Sequence, residues 1–376
     1  MSPERPPAPS SGVSPRRSRA LCVAALLALS TPGCFVRTET PQSAPAGMAA
    51  GRAPPGFDDK RACGEWSEAA GDADFESDTH VSFPELDPRS CFVRVHYESG
   101  RPRADPIPAG CGYPGDLVAT TGRLLEQAAT YQAIAAGRSV GKLPSAVACS
   151  LPDDVRRAAA ITNGRTLRAL ALRLQNGRAY PYAASATFGF GHAAMGASAL
   201  VGWLPGDECP SLSKPEMSLL SMNIVRAGRA AEAHLAGVAP VMTVSGGAVH
   251  SPLTEAFLLY YLATCRFGVQ PDAVLLDPCA DHTHTNLRNT GGLVTDLGGR
   301  TAYLVTDDGM QSAYLQEWTS LDLVGGSIDQ RALRDWGHLL GSWRQASTGL
   351  DAGFWFTPYR FWAETRPGLG DFTCSR

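Results

Sequence analysis

Met242-Thr-Val-Ser-Gly-Gly-Ala-Val-His-Ser-Pro-Leu-Thr-Glu-Ala-Phe257 runs from apolar residues into a glycine pair and then into a helix start. A short apolar run bounded by turn residues is the pattern of a strand buried on both faces. Gly246 and Gly247 let the backbone turn sharply and let a ligand approach main-chain N–H groups, while Ser251 and Pro252 supply a cap and a first helical turn. The stretch reads as strand, turn, helix. Glu255 then lies about one turn inside, where a carboxylate near a helix N-terminus contributes only ~0.3–1 kcal/mol if its role is structural.

The same grammar repeats on both sides. Apolar runs at Ala199–Leu204, Pro240–Val244, Ala273–Leu276 and Thr301–Val305 predict strands, separated by helices over Pro215–Leu235, Pro252–Phe267, Thr285–Leu297 and Met310–Trp318. Strand and helix in alternation imply an α/β fold with a doubly wound (Rossmann-like), mainly parallel sheet and right-handed crossovers. In such sheets ligands sit beyond the carboxyl ends of the strands. The residues just past the four expected strands are Pro205-Gly-Asp207, Ser245-Gly-Gly247, Asp277-Pro-Cys-Ala-Asp-His-Thr283 and Thr306-Asp-Asp308, so every exit delivers polar or glycine-rich groups to one rim. Asp207, Ser245, Gly246, Gly247, Glu255, Asp277, Thr283, Thr306 and Asp307 are therefore candidate ligand-binding residues, while Arg226, on the helix before with Arg229, reads from the sequence alone as a solvated or salt-bridged surface residue.

Upstream, Arg16, Arg17 and Arg19 precede the apolar run Leu21–Leu29 and then small residues and Cys34, the order of an export signal. The run falls short of the ~20 residues of a transmembrane helix. Thr31-Pro-Gly-Cys34 resembles a bacterial lipobox, although Thr31 stands where an aliphatic residue is usual, so cleavage further on is the alternative to lipidation of Cys34. The domain reading is a signal peptide over 1–34, a Pro/Ala/Gly-rich flexible linker over 35–62, a mainly helical accessory region over 63–196, the α/β domain over 197–345 and an aromatic tail over 346–376. In the accessory region, Gly115–Ala136 and Asp153–Leu174 read as amphipathic helices and Cys91–Tyr97 as a β-like piece.

The 376 residues are 44% hydrophobic with a formal charge of -3, enough to bury a large core and without the basic excess of a nucleic-acid binder. Of ten cysteines, Cys22 lies in the signal and Cys34 at the lipid site, which leaves an even set in the mature body: Cys63, Cys91, Cys111, Cys149, Cys209, Cys265, Cys279 and Cys374. An even count in an exported chain favours disulfides, with about a hundred pairings open.

The ordered set VSGG, Thr254-Glu-Ala256, Gly268-Val269, Thr283-His-Thr-Asn286 and Leu304-Val-Thr306, preceded by Arg226, resembles the YdcF-like family that includes SanA and ElyC. The resemblance spans roughly Ala197 to Trp318. It implies a Rossmann-like fold, a bacterial envelope setting and, in at least one relative, binding of S-adenosylmethionine. The ligand implied here is small and polar or anionic, S-adenosylmethionine or another nucleotide-like molecule, with Arg226 and Asn286 added to the residues that bind it. Two positions depart from the family pattern: Thr285 replaces the glutamate of T-x-E-N, and Asp307 replaces the serine of V-T-S. The family's later histidine and arginine are missing from Asp307–Tyr314.

Other groupings have simpler readings. Asp281-His-Thr-His284, with Asp277 and His250, offers metal-ligand residue types, but His282 and His284 are two apart at a helix start and need not face one point, so no metal is assigned. Ser245 lacks a G-x-S-x-G elbow. Gly189-Phe-Gly-His-Ala-Ala-Met-Gly196 lacks dinucleotide-loop spacing and reads as a closely packed turn. Gly353–Trp362 is densely aromatic and reads as a flap over the core or, alternatively, a partner-binding patch. The expectation is a membrane-anchored envelope lipoprotein, facing the periplasm or exterior, that binds a small ligand as an enzyme of cell-envelope metabolism; the alternative is a non-catalytic binding or scaffold module for another envelope protein.

Overall fold

The computed structural model describes residues 91–141, 143–191, 197–307, 310–315, 328, 340–348 and 352–358, all within one compact unit spanning 58 to 376. The signal, the linker, Cys34, Cys63, Cys374 and the end of the aromatic tail lie outside the described residues. In chain order the first elements are β1 (Val95–Glu98), β2 (Arg101–Ala104), α1 (Leu117–Ala135), α2 (Asp153–Leu174), β3 (Ala184–Phe188), α3 (Lys214–Leu219) and α4 (Ser221–Leu235). There follow β4 (Met242–Ser245), α5 (Glu255–Tyr261), β5 (Val274–Asp277), α6 (Thr283–Asp296), β6 (Ala302–Thr306), α7 (Met310–Leu315), β7 (Gly341–Gln345), β8 (Ser347–Thr348) and β9 (Ala352–Pro358).

The fold is α/β. A mostly parallel, six-stranded mixed sheet has the order β5-β4-β3-β6-β9-β7, in which β5, β4, β3 and β6 run parallel and β9 pairs antiparallel with both β6 and β7. A small sheet of order β2-β1-β8 stands beside it. The expected strands at 240–244, 273–276 and 301–305 are β4, β5 and β6, each buried along its whole length. The aromatic run enters the sheet as β9, where Phe354, Trp355 and Phe356 are fully buried.

One expected strand is absent. Ala199–Leu204 forms a 3₁₀ turn over Ser198–Leu200, because Gly202 sits at φ +81 and Val201 points its side chain to solvent. The strand that opens the parallel set is β3, inside the segment read as accessory. Its sequence Ala-Ser-Ala-Thr-Phe is short of branched apolar residues, yet all five positions are buried. Its polar side chains are satisfied locally: Ser185 Oγ donates to Ala230 O of α4 (3.1 Å) and Thr187 Oγ1 to Val305 O of β6 (2.9 Å).

The outer edge of β5 would expose unpaired backbone groups. Instead α2 lies along it. Asn163 Nδ2 donates to Leu276 O (2.9 Å), its Oδ1 accepts from Leu276 N (2.7 Å), and Thr166 Oγ1 donates to Val274 O (2.8 Å). The side-chain amide thus does the work of a neighbouring strand, and the accessory helices are built into the sheet.

Six of the eight body cysteines are paired as Cys91–Cys111, Cys149–Cys279 and Cys209–Cys265, with Cα–Cα distances of 5.1, 5.5 and 5.9 Å. Disulfides of this kind persist in an oxidising compartment. Among the described residues no helix is long and apolar enough to cross a membrane.

Candidate functional site

The strand order reverses at β3, which has β4 on one side and β6 on the other. In an open α/β sheet the carboxyl ends of strands around such a reversal form a crevice. Two polar clusters occupy this end of the sheet.

The first is built on Arg226 of α4. Its Nε and Nη2 both donate to Asp307 Oδ2, the former at 2.9 Å, and its Nη1 donates to the carbonyls of Phe188 (3.0 Å) and Gly189 (2.8 Å). Arg226 and Asp307 are 3% and 2% exposed. The pair bridges the ends of β3 and β6. Asn223, one turn earlier on α4, clamps the same loop, accepting from Phe190 N (2.8 Å) and donating to Phe190 O (3.1 Å). The Phe190 ring lies 5.5 Å from the guanidinium carbon, within cation–π range.

Glu255 enters beside this pair from α5. A Cβ built on Gly189 or on Gly191 would overlap its carboxylate, and one on Gly246 would come within 2.7 Å of its Cβ. The three glycines are cut to the shape of this side chain. Of the segment Gly189–Gly196, read as a closely packed turn, 192–196 lie outside the described residues, and Gly189 and Gly191 allow close approach to Glu255. A Cβ on Gly191 would also fall 2.6 Å from His250 Cδ2, so the exposed His250 and the buried Glu255 flank the same glycine. Burial pushes the Glu255 carboxyl up to about 7, against the opposing pull of Arg226. Glu255 therefore sits near the protonation balance required of a general acid or base at neutral pH.

The second cluster joins β4, β5 and α6. Ser245 Oγ lies 2.6 Å from Asp277 Oδ2 and 2.6 Å from Asn286 Oδ1, while Asn289 Nδ2 (3.1 Å) and Cys279 N (3.0 Å) donate to Asp277 Oδ1. One hydroxyl proton cannot serve two acceptors. The network closes in two ways: Asp277 protonated and donating to Ser245, which donates onward to Asn286, or the Asn286 amide turned so that Nδ2 donates to Ser245, which donates to the Asp277 carboxylate. Burial pushes the Asp277 carboxyl up to about 6, opposed by the hydrogen bonds from Ser245, Cys279 and Asn289 and by the charge of Arg288.

The glycine pair of the opening stretch is placed differently from its expected role. Gly246 N donates to Asp277 O (2.9 Å) and Gly247 N to Ala280 O (2.6 Å), so neither amide is turned to a ligand. Their carbonyls accept from the first amides of α5, Gly246 O from Ala256 N (2.8 Å) and Gly247 O from Glu255 N (3.2 Å). The helix start is capped by the turn itself. At φ +147 Gly246 holds a conformation that L side chains rarely adopt, and a Cβ on Gly247 would press on the carbonyls of Pro278 and Ala280 at 3.0 Å.

Of the remaining expected residues, Thr306 ends β6 and donates to Asp307 O (3.1 Å), and Thr283 opens α6 half-buried. Asp207 is corrected: it follows no strand, and its carboxylate caps a surface turn by accepting from Leu204 N (2.9 Å). Thr285, the departure from T-x-E-N, works as a reciprocal cap of α6, its hydroxyl accepting from His282 N (2.8 Å). His282 and His284 stack at 5.5 Å between centroids, and no metal-binding cluster occurs among the described residues.

Sequence reasoning missed Asn223, Asn289, Gly189 and Gly191. For the asparagines a signal existed: Asn223 lies three residues before Arg226, and Asn289 three after Asn286, so each pair shares a helix face. Elsewhere, a cleft of about 410 Å³ between the end of α1 and the start of α2 is lined by Gly137, Asp153, Arg156 and Arg157. Arg156 is engaged there by Val147 O (3.2 Å) and Cys149 O (3.0 Å), and no set of catalytic groups converges on it. No protein-family model, curated protein or solved structure matches the chain.

Proposed function

We propose that the chain is a YdcF-like protein of the bacterial envelope that binds a small polar ligand at the carboxyl rim of a Rossmann-like sheet and moves a proton there with Glu255. The observation that carries this reading is the Glu255 carboxyl itself, buried in a cradle of three glycines beside an exposed loop and held near neutral protonation. A purely structural carboxylate would gain nothing from such a setting. The order β5-β4-β3-β6, all parallel, supports the Rossmann-like winding, and Ser245, Asp277 and Asn286 supply a second polar wall. The anionic, nucleotide-like ligand loses its support, because the Arg226 guanidinium and the amides of Gly246 and Gly247 are all engaged.

The test is a thermal-shift screen of small polar metabolites on the full chain, followed by calorimetric titration of each hit, since a ligand that binds only the native state raises its melting temperature. Glu255→Gln and Asn286→Ala should each weaken a hit by about ten- to a hundredfold, the loss of one good hydrogen bond. Glu255→Gln should do so with little loss of melting temperature, whereas Asn286→Ala also lowers it, because Ser245 loses a buried partner 2.6 Å away. Equal affinity in both variants would move the site away from the rim. Turnover of a hit by the wild type and not by Glu255→Gln would make the protein an enzyme, whereas binding without turnover would make it a binding module.

Anchoring by lipid at Cys34 belongs to the same proposal, supported by the order of basic, apolar and small residues before that cysteine. Fatty-acid labelling of cells should mark the wild type and spare Cys34→Ala. Equal labelling of both would remove the anchor.

A further inference from the structure

Resting on the rim being the ligand site, the geometry points to its ligand class: a small molecule that presents an ammonium group, not a phosphate or a carboxylate. Anion sites in α/β folds are made of exposed helix N-termini, turned-out glycine amides and a free guanidinium or ammonium. Here the first turn of α5, the glycine amides and the Arg226 guanidinium are engaged from within. The first turn of α5 donates to the carbonyls of Gly246 and Gly247, and to Thr254 O from Phe257 N (3.0 Å) and Leu258 N (3.1 Å). The two glycine amides donate to Asp277 O and Ala280 O. At α6 the Thr285 hydroxyl accepts from Asp281 N (3.0 Å) and His282 N (2.8 Å), the two amides that lead into the helix.

The charges point in the same direction. Arg226 is bound to Asp307 and to two carbonyls, so its charge is balanced inside the protein. Arg288, the cation acting on Asp277, donates through Nε to Asn289 Oδ1 (3.1 Å). That leaves Glu255 and Asp277 as two carboxyls whose ionised forms the surroundings disfavour. An incoming anion would disfavour their ionised forms further and would find the amides of Gly246 and Gly247 and the Arg226 guanidinium engaged. An ammonium would supply the missing positive charge and three N–H donors, for which the Glu255 carboxylate is the natural acceptor. Glu255 rather than Asp277 is the contact, because Asp277 is fully buried behind Ser245 and Asn289 while Glu255 lies beside the exposed His250.

The experiment uses the full chain with glutamate side chains labelled at the carboxyl carbon, the Glu255 resonance being assigned by its loss in Glu255→Gln. Methylammonium, methanol and inorganic phosphate are titrated separately to the same millimolar concentration. Methylammonium should shift the Glu255 resonance saturably, at least tenfold more tightly than phosphate, and the backbone amide shifts it causes around Gly191 and Gly246 should vanish in Glu255→Gln. A saturable shift from phosphate alone would overturn the ligand class while leaving the rim as the ligand site. Silence from all three probes at the rim, in a protein shown to be folded, would overturn both readings. Shifts from methylammonium that persist unchanged in Glu255→Gln would overturn the assignment of Glu255 as its acceptor.

Discussion

Arg226→Met should lower unfolding free energy by about 3–5 kcal/mol, the usual cost of leaving one member of a buried ion pair without its partner. The size follows from where Asp307 sits. It is 2% exposed at the end of β6, and its Oδ2 takes two donors from one guanidinium. The carbonyls of Phe188 and Gly189 lose a donor in the same variant, at about 1–3 kcal/mol for each group left unsatisfied if water does not enter. Arg226→Met combined with Asp307→Leu should recover much of the loss, because replacing a buried pair by apolar groups of similar volume is often neutral or better. Urea unfolding of wild type, the two single variants and the double variant gives the coupling energy directly. A cost below about 1 kcal/mol for Arg226→Met, as for an exposed pair, would mean that water reaches the crevice and that the pair does not seal it.

That seal explains why so much chemistry stands at the end of the sheet with so little of it open. Arg226 lies on a long helix with Arg229, where sequence alone favours a solvated surface residue. The fold instead turns it inward, because Asn223 and Arg226 share a helix face and the β3 exit offers three carbonyls and an amide to satisfy. Asp307, at the end of β6, is the residue that pins it.

The legible parts of the sequence were those governed by burial. β4, β5 and β6 announce themselves as continuous apolar runs, and Asp153–Leu174 shows its helix from first residue to last. β3 did not, since Ala184, Ser185, Ala186 and Thr187 are small or polar and carry no hydrophobic signal. A central strand squeezed between two neighbours under close-packed helices tolerates small residues provided their hydroxyls find carbonyls, which is a tertiary fact. Ala199–Leu204 failed in the opposite direction: its apolar run was real, but one glycine at positive φ turned it into a loop, and Asp207 fell with it. In the site, residue types were legible while directions were not. The sequence places Gly246 and Gly247 at the strand exit, yet only the coordinates show their amides turned back to Asp277 and Ala280. Gly189 and Gly191 gave no sign of their partner, because Glu255 lies more than sixty residues further along the chain.

Between pH 5 and pH 7 Glu255 and Asp277 should make the protein less stable as pH rises, by several kcal/mol together, against an opposite slope from His234, whose imidazole burial pushes down. Burial raises Glu255 to about 7 and Asp277 to about 6 in the folded chain, whereas unfolded Glu and Asp titrate near 4.3 and 3.9. Across the window between those values the folded state holds protons that the unfolded state has released. Unfolding therefore releases protons, and a higher pH favours it. At about 1.4 kcal/mol per unit of difference, Glu255 contributes up to roughly 4 kcal/mol and Asp277 up to roughly 3 kcal/mol, each complete only above its folded value. Glu216 works in the other direction and in another range: hydrogen bonds from Ser213 and Ala199 hold it near 2, so the stability it adds is lost only as the solution becomes strongly acidic. Glu255→Gln should flatten the upper part of the slope and stabilise the protein at pH 7.5, and Asp277→Asn the lower part, its amide taking the place of the protonated acid as donor to Ser245. Urea unfolding of the three proteins at half-unit steps from pH 4.5 to 7.5 makes the comparison. A wild-type curve that rises or stays level over this range, parallel to that of Glu255→Gln, would show that Glu255 is ionised in the folded state, and the proton it is proposed to move would not be there to move.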